Sequence, residues 1–289
     1  MNADIDPAVF HAELSRYNAV RLAPRHDEPD WETRMRAELD MRAGEGHFVE
    51  AERRAVRAYA AGAPSGADKF VTWFEQLREC GPGQNDPLFP WLATNATLEQ
   101  MRWFLTQEVA GEAGFDDLVA LTQLRMPDRP KLELARNYWD EMGRGHERGM
   151  HGLMLHAVVE ELALEPAIET TVWESLALCN MMVALAANRR YAYHAIGALG
   201  VIEMTAPGRV SLVNEGLRRL GVASRARHYF QIHSELDIKH SKAWNHEVLR
   251  SLVAADPAVA RPIAEGALMR LACGARCFER YRRHFGASG

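Results

Sequence analysis

The segment RARHYFQIHSELDIKHSKAWNHEVL, Arg225 to Leu249, carries the residues best suited to chemistry. At about 100° per residue, His233, Asp237 and His240 fall within roughly 60° of one another on a helix. Tyr229 and Trp244 extend the same stripe, while Glu235, Lys239 and Lys242 point the opposite way. The polar face is thus assigned to solvent, which leaves two imidazoles and a carboxylate on the face that should be buried. An isolated buried carboxylate is costly unless it is paired or coordinates a metal. The set is either a group of metal ligands or a His–Asp–His hydrogen-bond cluster.

Three further segments place carboxylates in comparable settings. Glu203 is the only acidic residue between Ser175 and Asn214 and shares a helical face with Ile196 and Leu199 in YAYHAIGALGVIEM. It is a ligand, a salt-bridge partner of Arg189, Arg190 or Arg209, or an exposed group near a helix end before Pro207. In LEQMRWFLTQEVAGEAGF, Glu108 continues the apolar stripe of Met101, Phe104 and Leu105, with Glu112 one turn further as its substitute. In NYWDEMGRGHERGMHGLMLH, Glu141 precedes His151 by ten residues, which an ideal helix would set about 80° apart. Gly143, Gly145 and Gly149 lie between them, and each weakens a helix by roughly 1 kcal/mol. A break or a π-bulge there would turn both side chains inward; otherwise His151 is a partly exposed helix histidine.

The summed candidates are Glu108, Glu141, His151, Glu203, His233, Asp237 and His240. Oxygen and imidazole ligands without thiolate suit non-haem iron or manganese. Seven are too many for one ion, and two carboxylate-bridged ions inside a helical bundle are the economical arrangement. The Glu-x-x-His pairs of ferritin-like bundles are missing, so a different helical scaffold is expected.

The elements that must position these residues read as all-α. Ala, Leu, Arg, Glu and Met dominate, apolar residues recur at three and four, and alternating β-branched runs are scarce. Pro130, Pro166, Gly221 and the pair Asp256-Pro257 punctuate the helices. The loop GPGQNDPLFP, Gly81 to Pro90, separates a charged amino-terminal part, residues 1–90, from a more apolar remainder, residues 91–289. Amphipathic helices such as Trp31 to Ala61 need a partner to cover them, so the two parts are expected to form one structural domain, the first layered on the second.

A net charge of −5 argues against a nucleic-acid or anionic-membrane surface. The longest nearly apolar run, Ser175 to Ala187, holds Asn180 and falls short of the roughly 20 residues of a membrane helix. The start MNADIDPAVF lacks a secretory pattern, and the expected location is the cytoplasm. Cys80, Cys179, Cys273 and Cys277 form no CxxC pair and read as free packing residues. Trp103, Trp139, Trp173 and Trp244 are expected in the core. His146, His156, His194 and His246 are expected at the surface or behind the ligands. Arg189, Arg190 and Arg209 are candidates for holding a substrate carboxylate.

With these motifs in place, the sequence resembles the heme-oxygenase-like di-iron oxidases and oxygenases, iron-containing redox enzymes related to the chlamydial protein associating with death domains. The resemblance rests on DEMGRGHERGMH, GALGVIEM and YFQIHSELDIKHSKAW, with TQEVAGEAGF as a weaker fourth segment, and covers about residues 95 to 285. It implies iron ligation by Glu108, Glu141, His151, Glu203, His233, Asp237 and His240. Some members carry a carboxylate three residues before the histidine that matches His151; here that position is Arg148. The implied fold is a heme-oxygenase-like helical bundle of about seven core helices with additional amino-terminal helices. The implied cofactors are two Fe(II) ions, with manganese as the alternative, and no haem. The implied reaction uses O2 on a small amino-acid-like or fatty-acid-like substrate of specialised metabolism, by N-oxygenation, C–C cleavage or desaturation. An external electron donor and a homodimer are compatible with it, and neither nucleic acid nor membrane is an expected partner. Two other readings stand beside it: a metal-free thiaminase-like or pyrroloquinoline-quinone-synthesis-like enzyme of the same fold, and a non-catalytic helical metal-binding or interaction protein. Haem oxygenase itself would need a proximal histidine near the amino end, for which His11 and His26 are the candidates.

Overall fold

The computed structural model describes residues 6–24, 26, 30–111 and 114–287. Among them there is no β-strand, only an isolated antiparallel bridge between Met142 and Met150. The helices are α1 (Pro7–Leu22), α2 (Trp31–Ala60), α3 (Ala67–Cys80), α4 (Leu88–Thr94), α5 (Leu98–Gly111), α6 (Phe115–Thr122) and α7 (Asp128–Glu141). They continue with α8 (His151–Glu161), α9 (Trp173–Ala187), α10 (Ala192–Arg219), α11 (Ser224–Ala243), α12 (Arg250–Ala255) and α13 (Ala260–Phe285).

Local chemistry sets several of the boundaries. Asp6 accepts from the Ala8 amide ahead of Pro7, which fills a first-turn position whose N–H would be unpaired anyway. Thr97 and Gln100 form a reciprocal capping box at the start of α5: the Thr97 amide donates to the Gln100 side chain, and the Gln100 amide donates to the Thr97 hydroxyl. Asp256 and Pro257 begin the short turn that runs into α13.

The centre of the molecule is α9, α10 and α13. Helix α9 is buried on nearly every side, from Ser175 through Ala186, as expected of a helix apolar all round. Helices α10 and α13 approach backbone to backbone. A Cβ on Gly197 would sit 1.9 Å from the Ile263 carbonyl oxygen, and one on Gly266 would sit 1.9 Å from that of His194. By length and composition α10 could cross a membrane, but its most apolar stretch is largely buried inside the protein.

The amino-terminal helices share this core. Phe48, Val49 and Val56 of α2 and Phe70, Phe74 and Leu77 of α3 belong to the same buried cluster as Met181, Ile196 and Leu268. Trp139, expected inside, is instead 53% exposed, because it lies on the outer face of α7, against Gly145. Trp244 is buried, with its indole N–H donating to the Ile196 carbonyl at 3.2 Å. His11 is also buried, stacked on Trp173 between α1 and α9, so it is committed to helix packing.

Candidate metal centre

Glu141 ends α7 and His151 begins α8. Between them the chain makes two short 3-10 turns, Gly143–Gly145 and Glu147–Gly149, closed by the Met142–Met150 bridge. Gly143 and Gly145 both have left-handed φ, +60° and +82°, where a side chain is strained. A Cβ on Gly143 would lie 2.3 Å from the Gly149 carbonyl carbon. This pinched loop brings the two ligand candidates inward, and His151 Nδ1 stands 2.7 Å from Glu141 Oε2. The break is not a π-bulge; the π turn lies elsewhere, at Trp244–Leu249 directly after α11.

Helix α10 contributes Glu203, 2% exposed. Pro207 does not end the helix but sits inside it, so the Glu203 carbonyl loses the helical N–H four residues on. None of the three arginines weighed for Glu203 pairs with it. Asn137 of α7 donates to its Oε1 at 2.5 Å, and His240 Nδ1 lies 3.4 Å from its Oε2.

Helix α11 presents His233, Asp237 and His240 on the face that the spacing predicts. His233 Nδ1 donates to the Tyr229 carbonyl at 2.7 Å, which turns Nε2 outward, and its ring meets His151 edge-on at 4.6 Å. His240 Nε2 lies 3.1 Å from Asp140 Oδ2, which leaves Nδ1 facing Glu203.

Two triads result. One atom from each of Glu141, His151 and His233 lies within 4.8 Å of the others, and the same holds for Glu141, Glu203 and His240. Glu141 is common to both. Asp237 is buried beside them, close enough to Glu203, Glu141 and His240 to feel their charges. Glu108 belongs to neither triad. Its Oε1 accepts from the Tyr281 hydroxyl at 2.8 Å, with Arg209 and Arg270 as its charged neighbours. Glu112 lies outside the described residues.

The donor set fits a cation. His151 Nδ1, His240 Nδ1 and Asp237 Oδ1 are buried without a hydrogen-bond partner among the described residues. The nearby carboxylates stand at ion-pair distance but off the hydrogen-bonding direction. Orphaned buried polar atoms are expensive, and several converging on one space are what ligand atoms aimed at an ion look like. Burial pushes the Asp237 carboxyl up to about 9, helped by Glu203 and Glu141. Burial likewise raises Glu203 against the opposing pull of His240. Burial would lower His240, but Glu203 and Asp140 outweigh it and carry the imidazole up to about 9. Burial and the neighbouring His151 hold His233 below its ordinary value.

The sequence did not single out Asp140 and Asn137, which orient His240 and Glu203. Asp140 also accepts from Arg144 at 2.6 Å. Although burial disfavours its charge, Arg144 and His240 keep its carboxyl below the usual range. The nearest sequence signal was their position on the last two turns before Glu141, in NYWDE. Of the other histidines, His146, His156 and His246 are exposed, and His194 is buried in a separate ion cluster with Glu265.

A cavity of about 230 Å³ opens onto the centre. Glu141, His151, Glu203, His233 and Asp237 line one side, and the remaining walls are largely apolar, including Phe104, Leu105, Val213 and Phe230.

Residues 102–275 match the sequence profile of a family described as iron-containing redox enzymes. No curated protein matches the chain. Among solved structures, a CADD-like protein of unknown function from Nostoc punctiforme aligns with a TM-score of 0.57 at 17% identity, over 75% of this chain and 95% of that one. A domain of unknown function with a heme oxygenase-like fold from Shewanella denitrificans aligns with a TM-score of 0.52 at 13% identity, over 76% of this chain and 91% of that one. The all-helical chain thus has a heme-oxygenase-like fold and belongs to the iron-containing redox enzyme family.

Proposed function

We propose that the protein is a non-haem di-iron enzyme that uses O2 to oxidise a small amino-acid-like or fatty-acid-like substrate. The observation that carries this reading is the sharing of Glu141 between two ligand triads, the arrangement of a carboxylate that bridges two cations. Glu141, His151 and His233 would hold one ion and Glu141, Glu203 and His240 the other, with Asp237 adjacent. Iron bound there supplies the one-electron and O2 chemistry that side chains cannot perform.

The chain's own residues prepare the site. The Tyr229 carbonyl fixes the His233 tautomer with Nε2 free, and Asp140 does the same for His240 Nδ1. Asn137 clamps Glu203 through its Oε1. Asp237, whose carboxyl burial pushes up to about 9, would hold a proton in the metal-free site and give it up to a bound cation. Phe104, Leu105 and Phe230 exclude bulk water from the cavity. None of the four cysteines is in a disulfide.

Anaerobic loading of the apoprotein with Fe(II), followed by iron quantification and O2-consumption measurements, tests the reading. About two irons per chain and O2 uptake are expected. Both should be lost in His233→Ala and Asp237→Ala. Absence of tight iron, or iron binding indifferent to these substitutions, would overturn it. Accumulation far beyond two per chain would identify a storage protein instead.

A further inference from the structure

Besides the candidate metal ligands, the cavity is lined by a second polar group, Glu108 of α5, Arg209 of α10 and Arg270 of α13, which neighbour one another. Arg209 is half-buried, with its guanidinium over the rings of Phe278 at 5.5 Å and Phe89 at 5.8 Å. Its one hydrogen bond runs from Nη2 to the Thr205 hydroxyl at 3.2 Å. Arg270 Nε is buried with no partner among the described residues. Gly274, one turn further along α13, leaves room for its guanidinium: a Cβ there would lie 2.9 Å from Nη1. No described carboxylate stands within ion-pair distance of either group. The other candidates from the sequence are engaged elsewhere: Arg189 donates to the Leu121 and Thr122 carbonyls, and Arg190 is exposed beside Glu50.

Among the described residues, the negative charge set against Arg209 and Arg270 is that of Glu108. This carboxylate is itself tied to Tyr281, whose hydroxyl is in turn 2.8 Å from that of Ser175. A buried charge without a partner is costly, and the planar fork of a guanidinium matches a carboxylate in two parallel hydrogen bonds. One negative charge would balance the site and two would overshoot. Val109, Ile202 and Val210 add apolar wall to the same cavity, whose other acidic lining residues are Asp116 and the carboxylates of the candidate metal centre.

We infer that Arg209 and Arg270 form an anion-binding end of the cavity that takes the carboxylate of a monoanionic ligand with an apolar body, holding that body toward the metal-ligand wall. This rests on the reading of the cavity as the substrate site, and it assigns Glu108 to the anion end instead of the ion pair. Burial, together with the like charge of Arg270, lowers Arg209 only to about 10, so Arg209 is charged at neutral pH.

The test uses the full-length chain, ferrous-loaded under anaerobic conditions and again after chelation. Each form is titrated calorimetrically with 3-phenylpropionate, 3-phenylpropanamide and phenylalanine. The acid should bind both forms, and the amide and the zwitterion should bind about tenfold more weakly or worse. Arg209→Met and Arg270→Met should each cost about tenfold or more for the acid, with Arg270→Lys recovering part of it. Equal binding of acid and amide, tighter binding of phenylalanine, or no binding of any probe would overturn the proposal. So would acid binding that vanishes on chelation. Failure of iron loading with the acid preference intact would sink the di-iron reading alone.

Discussion

His240 shows how a candidate ligand is oriented by groups outside the triad it belongs to. Asp140 takes its Nε2 and is itself steadied by Arg144, so the ring has one orientation and presents Nδ1. Removing such a partner typically costs 10–100-fold in metal affinity. Asp140→Ala should therefore weaken iron binding by about that factor with unchanged helical circular dichroism; unchanged affinity would remove Asp140 from the site. The metal-free protein should also carry a signature in pH. Asp237 and His240 are both raised to about 9 in the folded state, above ordinary values near 3.9 and 6.5. A folded state that holds protons more tightly than the unfolded chain loses stability as pH rises. The melting temperature after chelation should thus fall steadily from about pH 6.5 to about pH 9. Saturating metal, which keeps the ligands deprotonated, should flatten that slope. A flat or rising profile for the chelated protein would contradict the charge assignment. Of the candidate ligands, Glu203, His233, Asp237 and His240 were legible as polar groups on apolar faces, and Glu141 and His151 from the glycines between them. Asp140 and Asn137 were not, since what they orient lies 100 and 66 residues away in sequence. Glu108 looked like its fellow carboxylates for the same reason, and only the neighbouring Tyr281, Arg209 and Arg270 distinguish it.

At the scale of the element, the decisive piece is the loop between α7 and α8. A continuous helix would hold Glu141 and His151 about 80° apart, and the glycines announce that the helix breaks. Their sequence does not say how, because pairs of 3-10 turns and π-bulges draw on the same residues. What selects the turns is contact: Gly143 packs against Gly149 with no space for a Cβ and takes a left-handed φ. Gly143→Ala should open the loop and displace His151 while leaving Glu203 and His240 in place. Iron stoichiometry should then fall from about two toward one per chain, with the site of His151 and His233 lost. Gly152→Ala is the control, as a Cβ there meets nothing within 4 Å. If Gly143→Ala binds iron like the parent chain, the loop does not set the ligand geometry. Helix α10 carries the complementary lesson. Pro207 reads in sequence as a helix stop, yet the helix runs on to Arg219, because its buried faces on α11 and α13 outweigh one lost hydrogen bond.

The whole molecule ties the centre to helices that contribute nothing to it. Asn180, the one amide in the apolar run of α9, donates to the His11 carbonyl and accepts from Asn18, both at 2.9 Å, so α1 is latched to the core. On the other side, Arg53 of α2 reaches the buried Glu265 of α13 at 2.6 Å, and Glu52 pairs with Arg276. Residues 1–90 and 91–289 therefore share apolar contacts and buried polar ones, and neither part would keep its interior on separation. They should unfold together, in one transition by calorimetry and by far-UV circular dichroism. The candidate ligands come from α7, α8, α10 and α11, so an ion that binds only the assembled set would stabilise all of them at once. At a free metal concentration 100 times its dissociation constant, linkage supplies roughly 2.7 kcal/mol per site. For a chain of this size each kcal/mol moves the midpoint by about 2–4 °C, which predicts a rise of about 5–10 °C per filled site. Fe(II) under anaerobic conditions, or Mn(II) in air, should produce that shift in the parent chain and far less in His233→Ala. Two separate transitions would show that the amino-terminal helices are an independent layer, and a midpoint indifferent to either metal would remove the cation from the centre of the fold.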